Sequence, residues 1–114
     1  MIDRKILKQL IAEFNCSKPL GFGTCMAPVM FKASFTNGQW NKGELIPYGP
    51  ILIDPAAKVL HYAQEIFEGM KAYWVDSESP LLFRPESNYK RFSDSAKRLS
   101  IPTLPKQVFF DSLH

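Results

Sequence analysis

The sequence has 114 residues, 46% of them hydrophobic and 22% charged, with a formal net charge of +3. That length suits one domain and that composition excludes an intrinsically disordered chain. Lysines and arginines are interleaved with acids rather than massed, which argues against a nucleic-acid partner, and no apolar run is long enough to cross a membrane.

The N-terminal stretch places Ile6, Leu7, Leu10, Ile11 and Phe14 at helical spacing, with Arg4, Lys5, Lys8 and Glu13 on the other side, which predicts an amphipathic helix over 2–14. The first residues lack the apolar core of a secretory signal, so the expected location is cytoplasmic. Cys16 and Cys25 show no Cys-x-x-Cys spacing and have no histidine nearby, so two free thiols are expected rather than a zinc site or disulfide scaffold. Pro19, Gly21 and Gly23 interrupt regular structure.

Residues 24–35 read as extended, and Asn37-Gly38 is a tight-turn signal followed by Gln39, Trp40 and Asn41, which predicts a hairpin. Gly43, Pro47, Gly49 and Pro50 mark a further connection, and Asp54-Pro55 starts a bend. In the run from Leu60 to Tyr73, the apolar spacing up to Phe67 fits a short helix or irregular bend. Gly69 allows a turn, and from Met70 the pattern suits a strand. Met70 to Val75 and Leu81 to Arg84 form a second hairpin around the 76–80 turn.

Pro85 ends that run, and Tyr89, Phe92, Ala96 and Leu99 mark a helix over 88–99. Ile101-Pro102 interrupts it, and Pro105 opens a last helix through Val108, Phe109 and Leu113 that reaches residue 114 with no stop signal. Hairpins followed by helices indicate the α+β class. Residues 1–114 are read as a single small domain.

Few residues stand out for chemistry by spacing alone. Arg91 shares a helix flank with Asn88 and Ser95, and its directed donors suit phosphate, although the spacing favours a surface salt bridge. Arg84 and Arg98 have no better claim. Lys71, between Met70 and Ala72, faces solvent in a strand, and Glu65 and Glu68 read as solvated surface acids. His61 has no second metal ligand in its segment, so no metal site is expected. There is neither a glycine-rich phosphate loop nor a serine elbow.

Linked blocks then carry a resemblance. Phe22-Gly23-Thr24, Leu60-His61-Tyr62, the run Phe67-Glu68-Gly69-Met70-Lys71-Ala72-Tyr73, Leu82-Phe83-Arg84-Pro85, Asn88 with Arg91, Ser95-Ala96-Lys97-Arg98-Leu99 and Pro102 occur in one order. Over roughly residues 20–110 the sequence resembles the N-terminal part of branched-chain amino-acid aminotransferases, pyridoxal-phosphate enzymes of fold type IV. The resemblance implies that Arg91 holds the cofactor phosphate, and that Tyr62, Phe67 and Phe22 form aromatic parts of the substrate pocket. It implies a homodimer acting on branched-chain amino acids and 2-oxo acids, and a large domain, absent here, that carries the Schiff-base lysine. Lys71 does not match that lysine, so no catalytic residue is assigned and residues 1–114 alone are expected to be inactive. A D-amino-acid aminotransferase or aminodeoxychorismate lyase is the nearer alternative, against which the 67–73 block speaks. A noncatalytic anion-binding interaction module is an alternative of another class.

Overall fold

The computed structural model describes residues 3–16, 18, 21–75 and 79–113. Expectations that fall on Ile2, Ser17, Pro19, Leu20, the 76–78 turn and His114 lie outside them. The chain divides into two compact units, Met1–Leu52 and Ile53–His114. Helices and small antiparallel sheets are mixed along it, as the α+β class requires.

In the first unit, helix α1 (Arg4–Glu13) begins where the Asp3 carboxylate accepts a hydrogen bond of 2.9 Å from the Lys5 N–H, satisfying a donor at the helix start. It packs on β1 (Val29–Lys32) and β4 (Glu44–Pro47). Leu7 is buried, while Ile6, Ile11 and Phe14 stay substantially exposed, so the apolar stripe is wider than the surface it covers.

The Asn37-Gly38 hairpin is present between β2 (Phe35–Thr36) and β3 (Gln39–Trp40). Both turn residues have positive φ, 51° and 81°, as a two-residue turn matched to strand twist demands. Phe35 and Trp40 meet edge to face across it, ring centroids 5.5 Å apart.

Residues 44–47, expected as a connection, are a strand: β4 pairs with β1 from Lys32↔Glu44 to Val29↔Pro47. This pairing extends the same hairpin beyond a bulge, in which Ala33 and Ser34 face three residues, Asn41, Lys42 and Gly43. Asn41 secures it, its Oδ1 accepting from the Ser34 and Gly43 N–H groups at 3.0 and 3.1 Å. Gly43 has φ +73°, and a Cβ there would run into the Phe31 ring. The prolines and glycines flanking 44–47 therefore delimit a strand.

Cys16 and Cys25 are joined as a disulfide with Cα atoms 6.3 Å apart, correcting the expectation of free thiols. The turn at 21–24, where Thr24 donates from both its N–H and Oγ1 to the Gly21 carbonyl, folds the chain back so that residues nine apart meet.

The second unit opens with an Asp54 turn and a short helix α2 (Lys58–Tyr62). The helix stops there because Ala63 adopts the left-handed conformation, φ 48°. The chain then enters the expected hairpin, of β5 (Ala72–Trp74) and β6 (Pro80–Leu82), paired from Ala72↔Leu82 to Trp74↔Pro80, with Pro80 in the strand rather than the turn.

Helix α3 (Pro85–Arg98) starts three residues before the expected position, with Pro85 in its first turn, where a missing N–H leaves no bond unmade. It ends in a Schellman motif: the N–H groups of Ser100 and Ile101 bond the Lys97 and Ala96 carbonyls, and Ser100 has φ 54°. Helix α4 (Lys106–Asp111) follows Pro105 and stops at a Ser112 cap, short of the expected run to residue 114. Ala96, Val108 and Phe109 form the core of this unit, with Tyr89, Phe92 and Phe110 ringing Phe109 at 5.3–5.8 Å between centroids. The Tyr89 hydroxyl donates to the Leu104 carbonyl at 3.1 Å.

Candidate functional site

Residues 63–71 are irregular yet ordered along α3, held by three of their side chains and backbone groups. Gln64 Nε2 donates to the Leu99 carbonyl at 2.7 Å, at the C-terminal end of the helix. Glu68 meets Arg91, and the Gly69 carbonyl meets Asn88, progressively nearer its N-terminal end. Four extended residues cover about 13 Å at ~3.3 Å each, and eight helical residues about 12 Å at ~1.5 Å each. The segment therefore runs antiparallel to α3 in matched length.

Its exposure alternates residue by residue: Gln64, Ile66, Glu68 and Met70 are partly buried, whereas Glu65, Phe67, Gly69 and Lys71 are exposed. That is the period of an extended chain, so of the two expectations up to Phe67 the short helix holds as far as Tyr62 and the irregular path beyond it.

Glu68 thereby turns inward, contrary to its assignment as a solvated surface acid. Its side chain is 14% exposed against 60% for Arg91. The carboxylate accepts from Arg91 Nε at 3.0 Å and Arg91 Nη2 at 2.8 Å, and from Asn88 Nδ2 at 3.0 Å. Asn88, itself buried, gives a second hydrogen bond of 3.0 Å to the Gly69 carbonyl. Asn88 and Arg91 lie one helical turn apart, so both reach the same acid. The Arg91 hydrogen bonds hold the Glu68 carboxyl below the usual carboxylate range, with Asn88 adding to the effect, and the same pairing raises Arg91.

The carboxylate occupies only one edge of the guanidinium. Arg91 has five N–H donors, of which Nε–H and one on Nη2 go to Glu68, leaving the Nη1/Nη2 end for another acceptor. Arg91 lines an open cavity of about 480 Å³ with Lys71, Arg84, Ser87, Tyr73 and Phe83. Three cations, two hydroxyls and two aromatic rings make a surface suited to an anionic group carried on an apolar body.

The sequence-derived aromatics sit elsewhere. Phe67 is 92% exposed and borders a separate groove with Ile66, Ser95 and Arg98, and Tyr62, 80% exposed, ends α2. Phe22 is fully exposed in the first unit, in the disulfide-closed loop. Arg91, Arg84 and Lys71 thus share one cavity, and Phe67 and Arg98 share another groove; Tyr62 lines neither. Lys71 is exposed, its Nζ 5.6 Å from the Tyr73 ring centroid, and His61 Nε2 pairs with the Pro55 carbonyl at 2.6 Å. Among the described residues no group of histidine, cysteine and acidic side chains could hold a metal, and no helix is long and apolar enough to cross a membrane.

No family model matches the chain. Similarity to individual proteins is nevertheless extensive. The chain is 52% identical over 95 residues to the branched-chain-amino-acid aminotransferase of Mycolicibacterium smegmatis, 82% of this chain and 26% of that protein. It is 40% identical over 95 residues to branched-chain-amino-acid transaminase 1 of Bacillus subtilis, 82% of this chain and 27% of that protein. A probable branched-chain-amino-acid aminotransferase of Staphylococcus aureus is 41% identical over 111 residues, 96% of this chain and 30% of that protein. The chain therefore spans little more than a quarter of the length of the curated relatives it matches. By sequence it belongs to the branched-chain-amino-acid aminotransferase family, as the counterpart of about a quarter of a member.

Proposed function

We propose that these residues form the N-terminal, small-domain part of a fold-type-IV aminotransferase that uses pyridoxal 5'-phosphate to move the amino group of leucine, isoleucine or valine to 2-oxoglutarate. The observation that carries this is the 52% identity over 82% of the chain to a branched-chain-amino-acid aminotransferase. That match also favours it over the D-amino-acid aminotransferase and aminodeoxychorismate lyase readings. The whole enzyme is a cytoplasmic homodimer in this proposal, and its large domain supplies the catalytic lysine.

The donor set fits the cofactor. Arg91, whose Nη1/Nη2 end is not taken by Glu68, lines the cavity with Lys71, Arg84 and Ser87, and would hold the phosphate. Pyridoxal phosphate, when bound, supplies the electron sink that amino transfer needs. Tyr62 and Phe67 are each at least 80% exposed, and as substrate-pocket walls they would cover a branched apolar side chain and exclude water; Phe22, exposed in the first unit, is assigned to the substrate pocket by the resemblance alone. Lys71 takes no catalytic part.

The test is a hybrid holoenzyme in which residues 1–114 replace the matching quarter of the M. smegmatis relative. It should bind pyridoxal phosphate and transaminate leucine with 2-oxoglutarate. Arg91→Ala should weaken cofactor binding by about tenfold or more, as loss of a charge-assisted phosphate contact implies. A folded hybrid that holds the cofactor but rejects all three branched-chain amino acids would overturn the substrate assignment, and unchanged cofactor affinity in Arg91→Ala would remove the phosphate role.

A further inference from the structure

We infer that Glu68 is a positioning residue for the phosphate clamp, fixing the Arg91 guanidinium by its Nε/Nη2 edge so that the Nη1/Nη2 end is presented to the anion. The inference rests on the phosphate role proposed for Arg91 and assigns a task to a residue that the proposed function leaves without one.

Four observations support it. The two-point contact, 3.0 Å from Nε and 2.8 Å from Nη2, fixes the guanidinium plane and its rotation, which a single contact would not. Glu68 is in turn held by Asn88 at 3.0 Å and sits on a segment tied to α3 at Gln64 and Gly69, so the acid is not free to follow the arginine. The acid is largely buried while the arginine is largely exposed, placing the support beneath and the working end at the surface. Finally, Lys71 and Arg84 line the same cavity as Arg91, so one carboxylate does not cancel its positive character.

Pairing an arginine with an acid has two opposing consequences for phosphate binding. It lowers the local positive charge, and it removes rotamer freedom that an unpaired arginine would lose on binding, a side-chain entropy of about 2 kcal/mol. Against two further cations the positioning effect is the larger. Removing the negative charge of Glu68 should therefore weaken phosphate binding, whereas a purely electrostatic picture requires it to strengthen.

In the hybrid holoenzyme, affinity for pyridoxal phosphate and for pyridoxal, which lacks the phosphate, is measured by reconstituting the apo form. Glu68→Gln is expected to weaken the phosphorylated cofactor by roughly five- to tenfold, within the entropy bound above. Pyridoxal should be unaffected, and Glu68→Asp should recover part of the loss. If Arg91→Ala weakens pyridoxal phosphate but Glu68→Gln leaves it unchanged or tightens it, the inference fails and the phosphate role stands. If Arg91→Ala has no effect, the phosphate role itself fails.

A second measurement needs no variant. In the unmodified 114-residue chain, nitrogen-15 NMR of the Arg91 side chain under titration with inorganic phosphate should move the Nη resonances while Nε–H keeps its shift and its slow exchange. An Nε–H signal that moves with phosphate, or that exchanges rapidly without it, would overturn the inference.

Discussion

Asn88 gives the sharpest test of how the segment 63–71 is held. It is 7% exposed, and Nδ2 makes two hydrogen bonds of 3.0 Å, one to the Glu68 carboxylate and one to the Gly69 carbonyl. Asn88→Ala removes a bond to a charged acceptor, about 1.5–3 kcal/mol, and one to a neutral acceptor, about 1 kcal/mol. With partial access of water to the vacated groups, the net loss should be about 2–3 kcal/mol, a large part of the ~5–15 kcal/mol that stabilises a domain.

Asn88→Asp keeps the shape but turns the donor into an acceptor facing a carboxylate and a carbonyl, and should cost more than alanine at pH 7. Burial and the Glu68 charge raise the introduced carboxyl's folded-state pKa above its unfolded value of about 3.9, so its penalty is present at neutral pH and shrinks as the pH falls. The gap between the aspartate and alanine variants should therefore narrow from pH 7 to about pH 5, before Glu68, whose own pKa is lowered, takes up a proton. Urea unfolding of the 114-residue chain, followed by far-ultraviolet circular dichroism at both pH values, reads this directly. An aspartate variant as stable as wild type at pH 7, or a gap independent of pH, would refute the reasoning.

Three further outcomes are expected. Gly43→Ala should destabilise the first unit by more than Gly38→Ala: both have positive φ, about 1–2 kcal/mol for an L-residue, but only Gly43 also faces the Phe31 ring, and Phe31→Leu should bring the two costs together in denaturation measurements. Tyr89→Phe should lose about 1 kcal/mol in the same assay through the hydrogen bond to Leu104 while leaving the aromatic cluster packed. The lowered Glu68 carboxyl contributes stability above its unfolded pKa that is lost as pH falls through the folded value, so Glu68→Gln should flatten the acid side of the stability profile.

Much of the fold was legible because local chemistry dictates it. Asn37-Gly38 specifies its own turn, and the period-3.6 stripe of α3 is strong enough to mark a helix, although Pro85 moved its start. What was missed depends on contacts between distant residues. Strand β4 is recognised only through its partner β1, and the cysteines meet across nine residues with the 21–24 turn between them.

The site divides in the same way. For Arg91 the spacing favours a salt bridge, which its pairing with Glu68 bears out, and the donors that the pairing leaves over are those an anion contact would use. Glu68 reads as a surface acid because the apolar spacing up to Phe67 fits a short helix as well as an irregular bend, which hides the alternation Gln64, Ile66, Glu68, Met70 of an extended chain. Reading that run at period two would have turned the acid inward and toward Arg91.

The bulge in the first hairpin acts on parity. Because side chains alternate sides along a strand, the third residue opposite Ala33 and Ser34 decides which of Leu45 and Ile46 lies on the face that Met30 shares. Loss or gain of one residue between Trp40 and Glu44 would invert that choice along all of β4, exchanging half-exposed Leu45 with the better covered Ile46 beside α1. A change of two residues would preserve it. The loop can therefore vary in length by even steps, while odd steps turn the strand inside out.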